Sequence, residues 1–203
     1  MLNLKVHAAR LSAALACSLA MSAGVSAAPI VYGFDGLADG LPLSTQYAGL
    51  AFSQATVLVA GASLNEYEFP PRSLDGVVFD DGGPITIDFT TSVFSVAGYF
   101  TYADGLSFSA YDRGGRLLGT VAAAYTSNRG DGAGDFGSSP NEFLQFSDTA
   151  GLISRVVFMS SASGASFVLD DLTVDAGAVA AVAEPSALGL MAAGLFMALA
   201  RRR

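Results

Sequence analysis

Short hydrophobic runs alternate with polar residues through most of the chain, from about residue 28 to residue 175. The runs are rich in Val, Ile, Phe, Tyr and Thr, and clusters of Gly, Asp, Asn and Ser separate them, which is typical of strands and turns. Neighbouring side chains of a strand point to opposite faces. Ile85, Ile87 and Phe89 therefore predict a buried face, and Thr86 and Asp88 lie on the opposite one.

The same alternation predicts two more inward-facing series. Their members are Phe94, Val96, Gly98 and Phe100 in the first and Phe167 and Leu169 in the second. Between the two ends of the chain no amphipathic helical pattern of useful length occurs.

Ten segments meet the criteria for strands. They are Ile30–Phe34, Leu50–Val59, Val77–Phe79, Ile85–Phe89, Phe94–Thr101, Ser107–Tyr111, Leu117–Ala124, Phe143–Phe146, Ile153–Met159 and Ser166–Val174. So many short strands with frequent turns predict an all-β domain over residues 28–175, a β-sandwich of jelly-roll type. A closed barrel is the alternative.

Three turns between these strands have explicit chemistry. The segment Asp80–Pro84 contains two glycines and ends in proline, so it cannot continue a strand. Asp104-Gly105 is a hairpin signal, and the glycines within Asp112–Arg116 adopt positive φ at little cost.

The N-terminal 27 residues have the pattern of a signal peptide. Lys5 and Arg10 precede an apolar run from residue 11 to residue 25, and small residues follow it. Cleavage between Ala27 and Ala28 is expected, which leaves an exported domain.

The other end of the chain carries a second targeting pattern, after a linker at residues 176–183. Glu184, Pro185 and Ser186 precede an apolar run over residues 187–200, which three arginines follow. As a helix this run reaches about 21 Å, shorter than the roughly 30 Å of membrane hydrocarbon. It therefore predicts a short transmembrane helix with Arg201, Arg202 and Arg203 on the cytoplasmic side.

Residues 184–203 closely resemble the PEP-CTERM sorting signal, in which a polar Pro-containing motif, an apolar stretch and a basic cluster occur in this order. Ala183 stands where the motif has its first proline. The resemblance implies processing by an exosortase, a membrane-embedded enzyme, after a transient inner-membrane stage. The protein would then reach the cell envelope, the surface or an exopolysaccharide matrix. An ordinary membrane anchor is the alternative.

Composition removes several kinds of chemistry from the exported part. The only histidine, His7, and the only cysteine, Cys17, lie in the signal peptide, and the chain has no tryptophan. These absences exclude His- or Cys-based nucleophiles, zinc sites built on His or Cys, and disulfides. Residues 28–183 contain 17 acidic residues, five arginines and no lysine, a net charge of −12. The negative electrostatic field of this charge repels nucleic acid and suits the binding of calcium or a matrix poor in polyanions.

The two ends of the domain resemble those of jelly-roll carbohydrate-binding modules. Phe34-Asp35-Gly36-Leu37 opens the domain and Phe167–Leu172 closes it. In such modules, carboxylates of the first and last strands share a structural Ca²⁺. The resemblance implies Asp35 and Asp170 as ligands, with Asp171 as a further one. The alternative is a set of exposed acidic turn residues at a solvated strand end.

Two loops interrupt the strand pattern, Leu64–Arg72 and Ser127–Pro140. The second is too rich in glycine to pack, and its Asp131 and Asp135 match only half of a calcium loop. Its Arg129-Gly130-Asp131 triplet resembles an adhesion tripeptide of the kind that occurs by chance. Aromatic residues near predicted turns are candidates for stacking on sugars: Tyr67, Tyr102, Tyr111, Tyr125 and Phe136.

Two functions of different class follow. The first is a non-enzymatic exported protein of the envelope or matrix, with carbohydrate as a candidate ligand. The second is a secreted glycoside hydrolase, because a carboxylate pair alone can do acid–base and nucleophilic work. A structural or ice-binding-type surface protein is a further alternative, since an ice-binding label is attached to the same tail motif. That label describes a shared address and carries no chemistry.

Overall fold

The computed structural model describes residues 28–177, which form eleven strands and no helix. The strands are β1 (Ile30–Tyr32), β2 (Leu50–Ser53), β3 (Ala55–Val59), β4 (Gly76–Asp80), β5 (Ile85–Val93), β6 (Ser95–Tyr102), β7 (Ser107–Tyr111), β8 (Leu117–Ala122), β9 (Glu142–Ser147), β10 (Ile153–Met159) and β11 (Phe167–Asp175). Within this part of the chain no helix is available to cross a membrane.

Two antiparallel sheets face each other, which confirms the predicted all-β sandwich. The six-stranded sheet has the order β3-β4-β11-β6-β9, and β1 also pairs with β11. The five-stranded sheet has the order β2-β5-β10-β7-β8. β1 and β11 are direct neighbours, with Ile30 opposite Val174 and Tyr32 opposite Leu172.

The core fills the space between the sheets with the inward-facing residues of both. Ile85 and Ile87 of β5 are fully buried, as are Phe100 of β6 and Leu169 of β11, so the predicted alternation is confirmed at these positions. Aromatic rings pack closely in the centre, where the ring centroids of Phe108 and Phe158 are 4.7 Å apart. A smaller apolar cluster lies under the segment that joins β3 to β4.

Phe94 is a correction to the predicted faces, because its side chain is 37% exposed. β5 ends at Val93 and β6 begins at Ser95, in the other sheet. Phe94 is thus the one residue between β5 and β6, where the chain passes from one sheet to the other, and the strand alternation does not extend through it.

The predicted strand over residues 50–59 is two strands in the structure. Gln54 has φ = 55°, in the left-handed region, and this turns the chain from β2 in one sheet to β3 in the other. A long apolar run alone does not reveal such a change of sheet, because both halves bury one face in the same core.

Two of the three predicted turns are present in the structure, and the third is not a hairpin. β4 ends at Asp80 as expected, and Asp112–Arg116 forms the hairpin turn between β7 and β8, where Gly115 has φ = 79°. The hairpin predicted at Asp104-Gly105 is wrong, because this turn joins β6 to β7 and these strands lie in different sheets. The signal peptide (residues 1–27), the sorting signal (184–203) and most of the linker lie outside the described residues.

Candidate functional site

Three central strands of the five-stranded sheet bring polar side chains into one row on the outer face. Arg155 of β10 is opposite Asp88 of β5 on one side and opposite Tyr111 of β7 on the other. The next residues along β5 and β10, Ile87 and Val156, are buried in the core. The row therefore lies on the face turned away from the core.

Arg155 and Asp88 form a two-point ion pair in the middle of this row. Arg155 Nε donates to Asp88 Oδ1 at 2.7 Å, and Nη2 donates to Oδ2 at 3.1 Å. This hydrogen bonding raises the pKa of Arg155 above its ordinary value. The two side chains are 52% and 44% exposed, so the pair presents fixed donors and acceptors to solvent.

Hydroxyl groups continue the outer face in the adjacent row. Thr86 of β5 is opposite Val157 of β10, which is opposite Ser109 of β7. Ser109 in turn is opposite Thr120 of the edge strand β8, and their hydroxyl oxygens are 2.9 Å apart. This part of the face offers further hydrogen-bonding groups.

The β7–β8 turn closes one end of the row and is held by its first residue. Asp112 Oδ1 accepts hydrogen bonds from the Gly114 and Arg116 N–H groups, and Oδ2 accepts one from Arg116 Nε at 3.0 Å. These bonds, the Arg116 N–H first, lower the pKa of Asp112. Arg113 at the tip donates from Nη2 to the Thr90 carbonyl at 3.1 Å, which ties the turn to the end of β5.

A concavity of about 520 Å³ lies between the row and this turn. We call it the sheet-face pocket; it is lined by Asp88, Phe89, Tyr111, Asp112, Arg113, Gly114, Gly115, Ser154, Arg155 and Val157. An aromatic ring beside planar, hydrogen-bonding charged groups suits a ligand with one apolar face and many hydroxyls. A pyranose has these properties, because its C–H groups pack on a ring while its hydroxyls bind the polar groups.

The acid–base properties of the pocket differ from those of a glycosidase. Asp88 is held by Arg155, and the pKa of Asp112 is lowered, whereas a general acid needs a raised pKa. Within residues 28–177, burial raises the pKa of two carboxyls, Asp80 and Asp170. Both are fully buried and therefore inaccessible to a substrate.

Asp80 is a structural anchor at the end of β4. Its Oδ1 accepts hydrogen bonds from the N–H groups of Ser166 (2.8 Å) and Phe167 (3.0 Å), and its Oδ2 accepts one from Ser166 Oγ (2.7 Å). The start of β11 is thereby fixed to β4. Removal of Asp80 from water is the main cause of its raised pKa.

The predicted metal ligands lie around an irregularity in β11. The pairing of β11 with β6 shifts register between Asp170 and Thr173, and Asp171 has φ = 48°. Asp170 Oδ2 accepts hydrogen bonds from the N–H groups of Arg72 (2.7 Å) and Ser73 (2.9 Å). Asp170 is fully buried, so the alternative of a solvated strand end is wrong for this residue.

Asp35 and Asp171 lie on either side of Gly33. A Cβ at Gly33 would be 3.0 Å from Asp35 Oδ2 and 4.0 Å from Asp171 Oδ1. Asp35 Oδ1 accepts hydrogen bonds from the Asp75 and Gly76 N–H groups, and Asp171 Oδ1 accepts one from Ser73 Oγ. All three predicted ligands thus hold the segment that leads into β4.

Residues 28–177 contain no group of three or more Asp, Glu, His or Cys side chains arranged to hold a metal ion. Hydrogen bonds from peptide N–H groups to Asp35 and Asp170, and from the Ser73 hydroxyl to Asp171, give the three carboxylates a structural role of their own. Calcium binding by Asp35, Asp170 and Asp171 stays a prediction.

The two loops singled out in the sequence lie against each other. Arg129 of the second loop forms an ion pair with Glu68 of the first, and the Gly130 N–H donates to the Glu68 carbonyl at 2.9 Å. Asn128 is fully buried and bonds to the Tyr102 N–H and the Phe100 carbonyl. The expectation that this glycine-rich loop does not pack is therefore wrong.

A second concavity of about 550 Å³, the loop cleft, lies between these loops and is lined by Glu66, Tyr67, Pro70, Arg129, Gly130, Gly132, Gly134, Asp135, Ser138, Ser139 and Pro140. Asp131 lies 3.8 Å from Arg129 Nε and accepts the Ala133 N–H. The charged groups of the Arg-Gly-Asp triplet thus bind within the loops, which favours the chance interpretation. Asp135 accepts hydrogen bonds from the Thr126 and Ser127 N–H groups.

The aromatic candidates separate into core and surface residues. Tyr102 is fully buried, and its hydroxyl donates to Glu142; it is not available to a ligand. Tyr125 packs partly against the core. Tyr67 and Phe136 are exposed, and Tyr111 lines the sheet-face pocket.

The central polar pair of the sheet-face pocket was not among the sequence candidates. Alternation correctly placed Asp88 on the outer face, but the partner of β5 was not known from the sequence. Arg155 becomes its neighbour only through the β5–β10 register, which joins residues 67 positions apart. From the sequence, the pair was therefore visible only as two opposite charges on separate predicted strands, with nothing to show that they are neighbours.

The sequence matches no family model, and no curated protein is significantly similar to it. Several solved structures align with this chain. The K2 cleaved adhesin domain of Lys-gingipain aligns with a TM-score of 0.46 at 13% identity, over 72% of this chain and 99% of that one.

Two carbohydrate-binding modules show a similar degree of likeness. The CBM22-1 xylan-binding domain of Paenibacillus barcinonensis Xyn10C has a TM-score of 0.40 and 14% identity, over 75% of this chain and 95% of its own. CBM29_1, a family 29 carbohydrate binding module from Piromyces equi, has a TM-score of 0.39 and 10% identity, over 74% and 91%. At these identities the likeness concerns the sandwich fold alone.

Proposed function

We propose that this chain is a non-enzymatic, exported β-sandwich protein that binds carbohydrate in the sheet-face pocket. The observation that carries the proposal is the row in which the Asp88–Arg155 pair lies beside Tyr111. A pyranose packs its C–H face on the Tyr111 ring and forms hydrogen bonds with the exposed edges of the ion pair. Surface ion pairs add little to stability, so a ligand is a better reason for this arrangement than folding.

A glycan array probed with the full-length protein tests the proposal. The array carries neutral oligosaccharides, including xylan and β-1,4-galactan fragments, and acidic polysaccharides. The detergent is a non-glycosidic one, because a maltoside would compete for the pocket. We expect at least one class of glycan to bind.

Tyr111→Ala should weaken that binding about tenfold, since loss of an aromatic contact costs about 1 kcal/mol. Tyr67→Ala is the matched control, because it removes the same side chain from the loop cleft. If Tyr67→Ala abolishes binding and Tyr111→Ala does not, the ligand belongs in the loop cleft. Absence of binding to every glycan contradicts the proposal.

The glycoside hydrolase remains the second candidate from the sequence, and the pocket gives it little support. Its carboxylates are Asp88, which is paired with Arg155, and Asp112, which binds its own turn. The pKa of Asp112 is lowered, the opposite of what a catalytic acid requires. Release of reducing sugar from a bound glycan would overturn the non-enzymatic proposal.

Export and sorting form the second half of the proposal. The motif at Glu184, Pro185 and Ser186, the apolar run and the arginines support processing by an exosortase. The domain would then be delivered to the envelope or an exopolysaccharide matrix, where glycan ligands are present.

A further inference from the structure

We infer that the sheet-face pocket recognises an acidic sugar, whose carboxylate binds the Arg113 guanidinium. The inference rests on the proposed function, to which it adds the class of the ligand. It starts from the charges of the pocket: two arginines, Arg113 and Arg155, and two aspartates, Asp88 and Asp112, line it, and Arg116 of the same turn pairs with Asp112. The lining is therefore neutral, and the pocket and its turn carry +1 when Arg116 is included, in an exported part whose net charge is −12.

Two of these arginines already have carboxylate partners. Arg155 binds both oxygens of Asp88, and Arg116 Nε binds Asp112 Oδ2. Arg113 lies within 4.0 Å of no carboxylate among residues 28–177. Arg72 shares this property in the described part of the chain, but its guanidinium stacks over the Tyr99 ring on the other sheet, 4.7 Å from the centroid.

The Arg113 side chain is held in place by contacts of its own turn and of β5. The turn that carries it is fixed by Asp112, and its Nη2 donates to the Thr90 carbonyl. A guanidinium has five N–H donors, so this single bond leaves most of its fork available. The neighbouring Gly114 and Gly115 carry no side chains that would cover it. A guanidinium fork matches a carboxylate with two parallel, charge-assisted hydrogen bonds.

The negative charge of the whole domain does not prevent this recognition at physiological salt. The Debye length is then about 8 Å, so carboxylates on the other sheet are largely screened. The charges nearest the ligand then dominate the electrostatic energy of binding, and these sum to zero for the lining and to +1 with Arg116. A hexuronic acid combines the needed features, because one ring carries a C–H face for Tyr111, hydroxyls for Asp88 and Arg155, and a carboxylate for Arg113.

The test compares polymers that differ only in charge. Polygalacturonate, alginate and hyaluronan are each measured against their methyl esters, with the full-length protein in a non-glycosidic detergent and dissociation constants from calorimetry. We expect at least one acid to bind about tenfold more tightly than its ester. Arg113→Gln should remove that preference while leaving the affinity for the ester unchanged.

Arg116→Gln is the matched control, since it removes the same charge from the same turn without lining the pocket. It should keep the preference for the acid. An equal loss of the preference for the acid in both variants would mean that only long-range attraction by positive charge produces the preference. That result overturns the inference. Polyglutamate is the probe for an acidic peptide, and binding as tight as that of the best uronate overturns the assignment to a sugar.

Failure of the inference and failure of the proposed function look different. Neutral glycans or esters that bind as tightly as the acids, with a loss of affinity in Tyr111→Ala, overturn the acidic-sugar inference and leave carbohydrate binding in place. If no glycan of either kind binds, both are overturned.

Discussion

Asp80 and Asp170 are fully buried carboxylates that use their charge to hold peptide N–H groups of distant segments. Burial of a charged group is costly unless hydrogen bonds compensate it. In both residues several donors converge on the carboxylate, which joins β11 to β4 and to the segment before it. The raised pKa of each carboxyl shows that the compensation is incomplete.

Replacement of Asp80 tests its role as an anchor. Asp80→Ala leaves the Ser166 and Phe167 N–H groups and the Ser166 hydroxyl without their partner, and each unpaired buried group costs about 1–3 kcal/mol. We expect a loss of at least about 3 kcal/mol in denaturant unfolding. Asp80→Asn keeps an acceptor for both N–H groups and should cost less. Asp104→Ala, an exposed aspartate, should change stability by less than about 0.5 kcal/mol.

The same residue gives the domain a characteristic pH dependence. Because burial raises the folded-state pKa of Asp80 above 3.8, the folded state holds this proton more tightly than the unfolded state. The pH-dependent part of the stability that Asp80 contributes is therefore fully present below pH 3.8 and is lost as the pH rises through the folded-state pKa.

Unfolding curves of the wild type and Asp80→Asn between pH 3 and pH 7 measure this effect. The wild type should lose stability relative to Asp80→Asn as the pH rises through that window. Parallel curves for the two proteins would show that the Asp80 carboxyl does not titrate differently in the folded and unfolded states.

At the scale of elements, the strands were predictable and their partners were not. Alternation identified residues such as Ile87 and Leu169 as core because burial is a property of one strand and its period. The sheet to which a strand belongs depends on packing that the local sequence does not encode. Asp104-Gly105 has the composition of a hairpin, yet the chain crosses there to the other sheet.

The candidate site shows the same limit. Tyr111 was a sequence candidate, since an aromatic residue near a turn is recognisable in isolation. The Asp88–Arg155 pair depends on strand register, and Arg113 depends on which other arginines find partners. These are properties of the assembled face, so a single sequence did not reveal them.

The neighbouring strands β1 and β11 allow the calcium prediction to be tested at the residues best placed for it. Asp35 and Asp171 lie beside Gly33, and two like charges this close are less unfavourable when a cation joins them. We expect added Ca²⁺ to raise the melting temperature relative to a chelator, with a gain of about 2.7 kcal/mol at a hundredfold excess over the dissociation constant.

Asp171→Asn should abolish the calcium effect. It is a better variant than Asp170→Ala, because Asp170 also holds the Arg72 and Ser73 N–H groups and its loss destabilises the fold with or without a cation. An unchanged melting temperature in both buffers would mean that hydrogen-bond donors of the protein alone satisfy these carboxylates.

At the scale of the whole molecule, the sorting proposal predicts two processed ends. In a host with an exosortase, the mature protein should begin at Ala28 and lack the segment Ala187–Arg203. Without the enzyme it should stay bound to the membrane with its tail intact. Intact-mass measurement of the protein from the native envelope checks both ends, and recovery of the full tail would leave a plain membrane anchor.

The antiparallel pairing of β1 with β11 also determines how the domain bears tension. Ile30 lies opposite Val174, so residues 28 and 177 leave the sandwich at the same end. Hydrogen bonds between antiparallel strands run perpendicular to them, and a pull on these two residues loads the bonds one after another, as in a zipper. The three-residue β1 should peel away at low force as far as Phe34, which is fully buried.

Single-molecule stretching between residues 28 and 177 should therefore show a small early extension of about 20 Å, at about 3.4 Å for each of six released residues. The main unfolding event of the two sheets should follow at higher force. A polymer-bound domain that is tethered by its C-terminal side alone would bear no load through β1. β1 would therefore detach under tension only when both flanking segments are held.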